Sequence, residues 1–184
     1  MLILGIDPGS VKCGFGIVDF EGFPPKIIKV GLIRPKFKDK FHFLDKLKFI
    51  YDELNSLLDY FDIVETAVES QFYSKNPQSL MKLTQAKTVV ELAMLNRNIP
   101  VFEYSPREIK LAITGRGGAT KKSVQYMVES IFDVNLKNKT TDISDALAVA
   151  LCHISRKVNL NTKRNSPRNW REFVQMNPER VISQ

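Results

Sequence analysis

Two acidic side chains in this sequence stand at the ends of segments that predict β-strands. Asp7 comes directly after the run 2–6, and the breakers Pro8-Gly9 should end that strand abruptly. Glu69 is the final residue of a later run, 62–69. If the two strands are parallel neighbours, both carboxylates lie at the carboxyl edge of the sheet, where α/β sheets bind ligands. A plain polar cap at a strand end would explain either residue alone.

Two further carboxylates open an apolar segment late in the chain. Asp142 and Asp145 are three residues apart, so they share a face if 142–155 is a helix. Acidic residues are common in a first helical turn because they cap it, and the pair alone favours that interpretation. The surrounding residues are mostly apolar, however, and predict that this face packs against the sheet.

The four carboxylates together predict a site for divalent cations. Carboxylates that face each other repel strongly unless cations lie between them. Oxygen ligands without a cluster of His and Cys select Mg²⁺ or Mn²⁺ rather than zinc. Two such ions about 4 Å apart can hydrolyse a phosphodiester, one activating water and the other stabilising the leaving oxygen. The basic side chains that could hold the cleaved backbone, or could equally be solvated surface charges, are Lys75, Lys110, Arg116, Lys121 and Lys122.

The elements that must position these residues follow an α/β pattern. Short turns join the first three strands into an antiparallel meander, since parallel neighbours need a crossover of about a dozen residues. A long amphipathic helix leads to the fourth strand, which is expected to lie parallel to the first. The result is a five-stranded mixed sheet flanked by helices. The predicted strands are 2–7, 14–20, 26–33, 62–69 and 101–104, and the predicted helices are 40–61, 78–96, 106–114, 121–132 and 142–155.

The helix 78–96 is apolar over more of its circumference than a simple surface helix needs. Leu80, Leu83 and Val90 lie on one side, and further small or apolar residues lie elsewhere. Such a helix has a second face to bury, and a contact between subunits is one explanation.

Composition limits the class of protein. The chain has 184 residues, 43% of them hydrophobic, which predicts one main domain. Its net charge of +7 predicts an acidic partner such as nucleic acid or a membrane surface. Residues 156–184 hold seven basic and two acidic side chains, and therefore most of the excess charge. Cys13 and Cys152 have no metal-type spacing, and we find no membrane-length apolar run and no basic leader. We therefore expect a soluble, cytoplasmic protein.

Four motifs in order resemble the RuvC-type Holliday junction resolvases. They are Gly-Ile-Asp-Pro-Gly-Ser at 5–10, Val-Glu-Ser-Gln-Phe-Tyr-Ser-Lys-Asn at 68–76, Val-Phe-Glu-Tyr at 101–104 and Asp-Ile-Ser-Asp-Ala-Leu-Ala-Val-Ala at 142–150. The resemblance covers about residues 1–156. Four ordered motifs are far more specific than any one of them.

This resemblance implies a ribonuclease-H-like fold and a metal-dependent endonuclease that resolves four-way DNA junctions by paired symmetric nicks in recombination and repair. It implies that Asp7, Glu69, Asp142 and Asp145 are the catalytic acids and hold two Mg²⁺ ions, for which Mn²⁺ can substitute. Family members use an aromatic at the position of Phe72 to stack on a base, and they hold DNA with basic residues at Lys110 and Lys121. They act as homodimers through the helix that matches 78–96, and two sites related by a two-fold axis suit a junction of the same symmetry.

Residues 157–184 match no part of the family pattern that we recognise. They predict either a disordered basic tail or a nonspecific clamp on DNA arms that would weaken with salt. Branch-migration helicase subunits are a further potential partner. The alternatives to a resolvase are an RNA-processing nuclease of the same superfold and a junction-binding protein without catalysis. An actin-like kinase is excluded, because its duplicated domains need more than 184 residues.

Overall fold

The computed structural model describes residues 1–21, 24–35, 42–70, 76–136 and 140–164, with side chains as far as residue 158. The chain divides into two units, Met1–His153 and Ile154–Gln184. The first unit contains every strand of the described residues and the candidate site. Within the second, the described backbone is helical to residue 164.

One five-stranded mixed sheet forms the centre of the first unit. Its strands are β1 (Leu2–Asp7), β2 (Cys13–Asp19), β3 (Lys26–Ile33), β4 (Ile63–Glu69) and β5 (Val101–Tyr104). They lie in the order β3-β2-β1-β4-β5. The first three strands form the predicted antiparallel meander, and β4 pairs in parallel with both β1 and β5. The predicted α/β fold is therefore confirmed, including the parallel placement of β1 and β4.

In the described part of the chain, five helices accompany the sheet, and local sequence signals explain where several of them begin and end. Asn76 caps the second helix by accepting hydrogen bonds from two backbone amides. Ser105 and Glu108 form a capping box at the start of the third, which ends at Gly115 with a φ of 72°. The helices are α1 (Phe43–Tyr60), α2 (Pro77–Leu95), α3 (Pro106–Thr114), α4 (Lys121–Phe132) and α5 (Thr141–Arg164).

The two faces of the sheet pack in different ways. On one face, large side chains of the strands join those of α1 and α2 in a core that includes Leu4, Ile6, Ile50 and Met94. On the other face, glycines of β1 and β2 let α5 approach closely. A Cβ on Gly5 would lie 2.2 Å from the carbonyl oxygen of Ala146, and a Cβ on Gly14 would lie 2.2 Å from that of Asp142. Helix α5 therefore rests on the backbone of the sheet itself.

One boundary differs substantially from the prediction. We expect the last helix to end at residue 155, but α5 continues to Arg164, into the segment predicted to be a polar tail. The residues from 156 to 164 are mostly polar but include neither Gly nor Pro, and the first proline beyond them is Pro167. Adding residues to an existing helix avoids the cost of nucleation, so a polar sequence can extend it. The predicted start of α1 at Lys40 and the tail from 165 onwards lie outside the described residues.

Candidate active site

Asp7 and Glu69 lie side by side at the carboxyl edge of the sheet. Strands β1 and β4 are parallel, and Ile6 pairs with Val68, so the residues that follow them occupy equivalent positions. Burial, followed by the negative charges of Glu69, Asp145 and Asp142, raises the pKa of Asp7 to about 7. The predicted meeting of the two strand ends is therefore confirmed.

Helix α5 brings the other two acids to the same place. Asp142 lies in its first turn, against Gly14 of β2, and Asp145 follows one turn later. Burial and then the charge of Asp145 raise the pKa of Glu69 above its ordinary value. The charges of Glu69, Asp145 and Asp142 all act on Asp7, so the four carboxylates lie near one another at this edge of the sheet, and their catalytic and metal-binding roles stay a prediction.

Two lysines form ion pairs with the helix acids. Lys121, the first residue of α4, places its Nζ 3.0 Å from Oδ2 of Asp145, and this hydrogen bond raises the pKa of the lysine. Lys12, in the loop after β1, donates a hydrogen bond to Oδ2 of Asp142. Burial opposes ionisation of Asp142, but the contact with Lys12 prevails and lowers the pKa of that carboxyl.

The site opens into a cavity of about 410 Å³ whose lining includes Asp7, Lys12, Glu69 and Asp142. Across the described ranges, no three His, Cys, Asp or Glu side chains stand in an arrangement that could hold a metal as they are. Asp142 and Asp145 instead point to their lysines. The donor set still fits Mg²⁺ or Mn²⁺, because it consists of mutually repelling carboxylates without His or Cys ligands.

The structure separates the predicted basic residues into two groups. Lys110 on α3 is near enough for its charge to lower the pKa of Glu69, as the charge of Lys121 does. Arg116 and Lys122 line a different cavity of about 910 Å³, together with the start of α4. Phe72 and Lys75 lie in residues 71–75, outside the described residues.

Sequence reasoning did not identify Lys12 as a member of the site. Its position directly after the Asp7 turn is the one signal that could have suggested it. Whether a lysine in such a loop meets a carboxylate depends on how α5 packs on β2, which the spacing of residues does not reveal.

Comparison with known proteins assigns the chain to a family. The family model of crossover junction endodeoxyribonuclease RuvC matches residues 3–153. The chain belongs to the RuvC family. RuvC proteins are metal-dependent nucleases that act on DNA, so this chain is an enzyme of the class that the motifs predict.

RuvC relatives match along almost the whole chain. A RuvC from Salinibacter ruber is 41% identical over 181 residues, which cover 98% of this chain and 99% of the relative. The structure of Thermus thermophilus RuvC in complex with a Holliday junction substrate superimposes with a TM-score of 0.79 and 27% identity, covering 85% of this chain and 94% of that one. The yeast mitochondrial Holliday junction resolvase Ydc2 shares the fold, with a TM-score of 0.66 and 15% identity, over 89% of this chain and 81% of that one. The ribonuclease-H-like fold predicted above is therefore confirmed.

Proposed function

We propose that this protein resolves four-way DNA junctions in recombination and repair by cutting two opposed strands symmetrically. The observation that carries the proposal is the convergence of Asp7, Glu69, Asp142 and Asp145 at one edge of the sheet in a chain of the RuvC family. Two identical sites in a symmetric dimer would match the symmetry of the junction.

Asp7, Glu69, Asp142 and Asp145 are proposed to hold two Mg²⁺ ions, for which Mn²⁺ can substitute. When bound, the ions supply an activated water and a positive charge for the leaving oxygen. The strands position the first two carboxylates and helix α5 positions the others. The rigid sheet and the helix that rests on its backbone keep the two pairs at a fixed separation.

Basic side chains near the acids are proposed to hold the DNA backbone. Lys121 has a side chain that is 74% exposed, so its long stem can turn from Asp145 to a phosphate. Lys110 on α3, whose charge acts on Glu69, would support the same phosphate. Arg116 and Lys122 would contact an arm of the junction beyond the cut. We also propose DNA contacts for Phe72, by stacking, and for Lys75.

We propose that the protein is a homodimer that pairs through α2. Five exposed residues recur along this helix at alternating spacings of four and three, which is the pattern of a helix that packs against another helix. Three of them are apolar, with side chains that are 48% to 63% exposed. The five are Met81, Gln85, Thr88, Leu92 and Leu95.

Three further proposals concern the setting of the enzyme. Residues 1–156 would form the nuclease domain, and 157–184 a basic extension that begins as the end of α5 and holds DNA arms without sequence preference.

Branch-migration helicase subunits are proposed partners, and the cytoplasm is the proposed location. The structure contains no helix, among the residues described, that is long and apolar enough to cross a membrane.

The test is cleavage of a labelled mobile four-way junction with Mg²⁺ or Mn²⁺, comparing the protein with its Asp7→Asn variant. Linear duplex and structured RNA serve as controls. We expect paired nicks on the junction alone, lost in Asp7→Asn while binding persists. Tight binding without cleavage under either metal would favour a noncatalytic junction binder. Cleavage of RNA alone would assign the protein to the RNA-processing nucleases.

A further inference from the structure

Lys12 is held beside the acidic cluster by the backbone around it. The loop after β1 turns so tightly that a Cβ on Gly9 would lie 2.1 Å from the carbonyl oxygen of Lys12. The next residue, Cys13, is fully buried at the start of β2. Gly14 then rests against the backbone of Asp142. The loop and strand therefore fix the Cα of Lys12 close to the first turn of α5.

The side chain of Lys12 forms a specific contact and can also leave it. Its Nζ bonds Oδ2 of Asp142, whose side chain is 18% exposed, while 41% of the lysine side chain remains exposed. The same lysine lines the cavity that Asp7, Glu69 and Asp142 share. A flexible four-carbon stem lets an ammonium group move by several ångströms without any change in the backbone.

The two halves of the cluster differ in the way their charges are balanced. The helix acids are paired with Lys12 and Lys121, whereas neither Asp7 nor Glu69 forms an ion pair within the described part of the chain. Among the described residues, a divalent ion arriving between the strand acids would break no ion pair, although the charges of Lys121 and Lys110 act on Glu69 from nearby. An ion that ligates Asp142 would have to displace an ammonium group that already occupies the carboxylate, and the two positive charges would repel each other.

We propose that Lys12 is a resident counter-ion of Asp142 that competes with a divalent cation for this carboxylate. It stabilises the acidic cluster before metal arrives and weakens metal binding on the α5 side of the site. This inference rests on the proposed function, because it takes the four acids as the metal site. Lys12 thereby sets the metal affinity of the site, which none of the roles proposed for the acids or for Lys110 and Lys121 includes.

The test measures Mn²⁺ and Mg²⁺ binding by calorimetry without DNA, so that no cleavage is involved. Lys12→Met should bind the more weakly held ion about 10-fold more tightly than the unmodified protein, equivalent to about 1.4 kcal/mol, because both the competing ion pair and the repulsion are removed. Lys12→Arg keeps the charge and should bind like the unmodified protein. Lys48→Met removes an exposed lysine paired with Asp52 on α1 and controls for the general loss of one positive charge.

Thermal unfolding supplies a second measurement that a merely structural role would not reproduce. Lys12→Met should unfold at a lower temperature than the unmodified protein in chelator, and should gain more stability when Mg²⁺ is added. A substitution that only damaged packing would lower the unfolding temperature equally in chelator and in Mg²⁺. Lys12→Gln repeats the comparison with a polar side chain, should the Met variant fold poorly.

The outcomes separate this inference from the proposed function. Tighter binding by Lys12→Met, with Lys12→Arg and Lys48→Met unchanged, supports it. Metal binding that depends on Asp7 but is the same in Lys12→Met and Lys12→Gln overturns the role of Lys12 and leaves the metal site intact. Absence of divalent metal binding in the unmodified protein overturns both.

Discussion

Replacing Asp7 with Asn should stabilise the metal-free protein even though it removes a residue of the proposed active site. Burial and three neighbouring carboxylates raise the pKa of Asp7 from 3.8 to about 7. Above pH 7 Asp7 is ionised in both states. In the folded protein its surroundings disfavour the charge, whereas water solvates it in the unfolded chain. Asn has nearly the same shape and carries no charge.

The magnitude follows from the size of the shift. About three pKa units at about 1.36 kcal/mol each set an upper limit near 4 kcal/mol at pH 8. Neighbouring side chains and water relax around the charge, so we expect about 1–3 kcal/mol, or a rise in melting temperature of about 3–10 °C. The sign is that of an acid whose folded-state pKa is raised. Its destabilising effect is absent below about pH 4 and grows as the pH rises to about 7.

The assay is denaturant unfolding in chelator at pH 8 and pH 5. The gain from Asp7→Asn should shrink to less than half at pH 5, because Asp7 of the folded parent protein is then largely protonated. Asp62→Asn, at an exposed carboxylate just before β4, controls for the loss of one negative charge. An Asp7→Asn variant that is no more stable than the parent protein at pH 8 would refute the idea that burial and repulsion by neighbouring carboxylates disfavour the ionised Asp7 in the metal-free site.

Three further substitutions test other parts of the structure. Gly14→Ala should cost about 2–4 kcal/mol and reduce cleavage, measured by urea unfolding and junction cutting, because its Cβ would lie 2.2 Å from the Asp142 carbonyl oxygen; unchanged stability would contradict the close packing. His153→Phe should cost about 2–3 kcal/mol by the same unfolding assay, since it removes the contacts of the buried imidazole with the Tyr104 hydroxyl at 2.7 Å and with the Glu65 carboxylate at 2.8 Å; a neutral effect would show that these two contacts together contribute little. Leu92→Glu on the exposed stripe of α2 should convert dimers to monomers in sedimentation experiments without lowering the Mg²⁺-dependent gain in stability; a dimer that persists would place the interface elsewhere.

The topology could be predicted from sequence because it follows from chain connectivity. The short turns after β1 and β2 leave an antiparallel meander as the simple solution, and the α1 crossover makes β4 parallel to β1. Once these strands are neighbours, Asp7 and Glu69 must meet at one edge. The apolar surroundings of Asp142 and Asp145 then place the helix acids against the same sheet.

Other features depend on contacts that no local pattern encodes. The pairing of Lys12 with Asp142 joins residues 130 positions apart and requires α5 to rest on β2 at the level of Gly14. The sequence predicts too short an α5, because the mostly polar residues after 155 resemble a tail. Polarity reports which residues face water, whereas propagation of a helix depends on the absence of residues that break it.

The glycines under α5 also determine how much mechanical freedom the site has. Helices that meet through long side chains can slide when rotamers change, whereas contact between main chains has no such compliance. The carbonyl groups of Ala146 and Asp142 in α5 rest directly on Gly5 and Gly14 of the sheet, so the separation of the α5 backbone from the strands that carry Asp7 and Glu69 is set by main-chain contact. The sheet and α5 therefore form one rigid support for the four acids. Small errors of side-chain packing elsewhere in the protein would then leave the separation of the two carboxylate pairs unchanged.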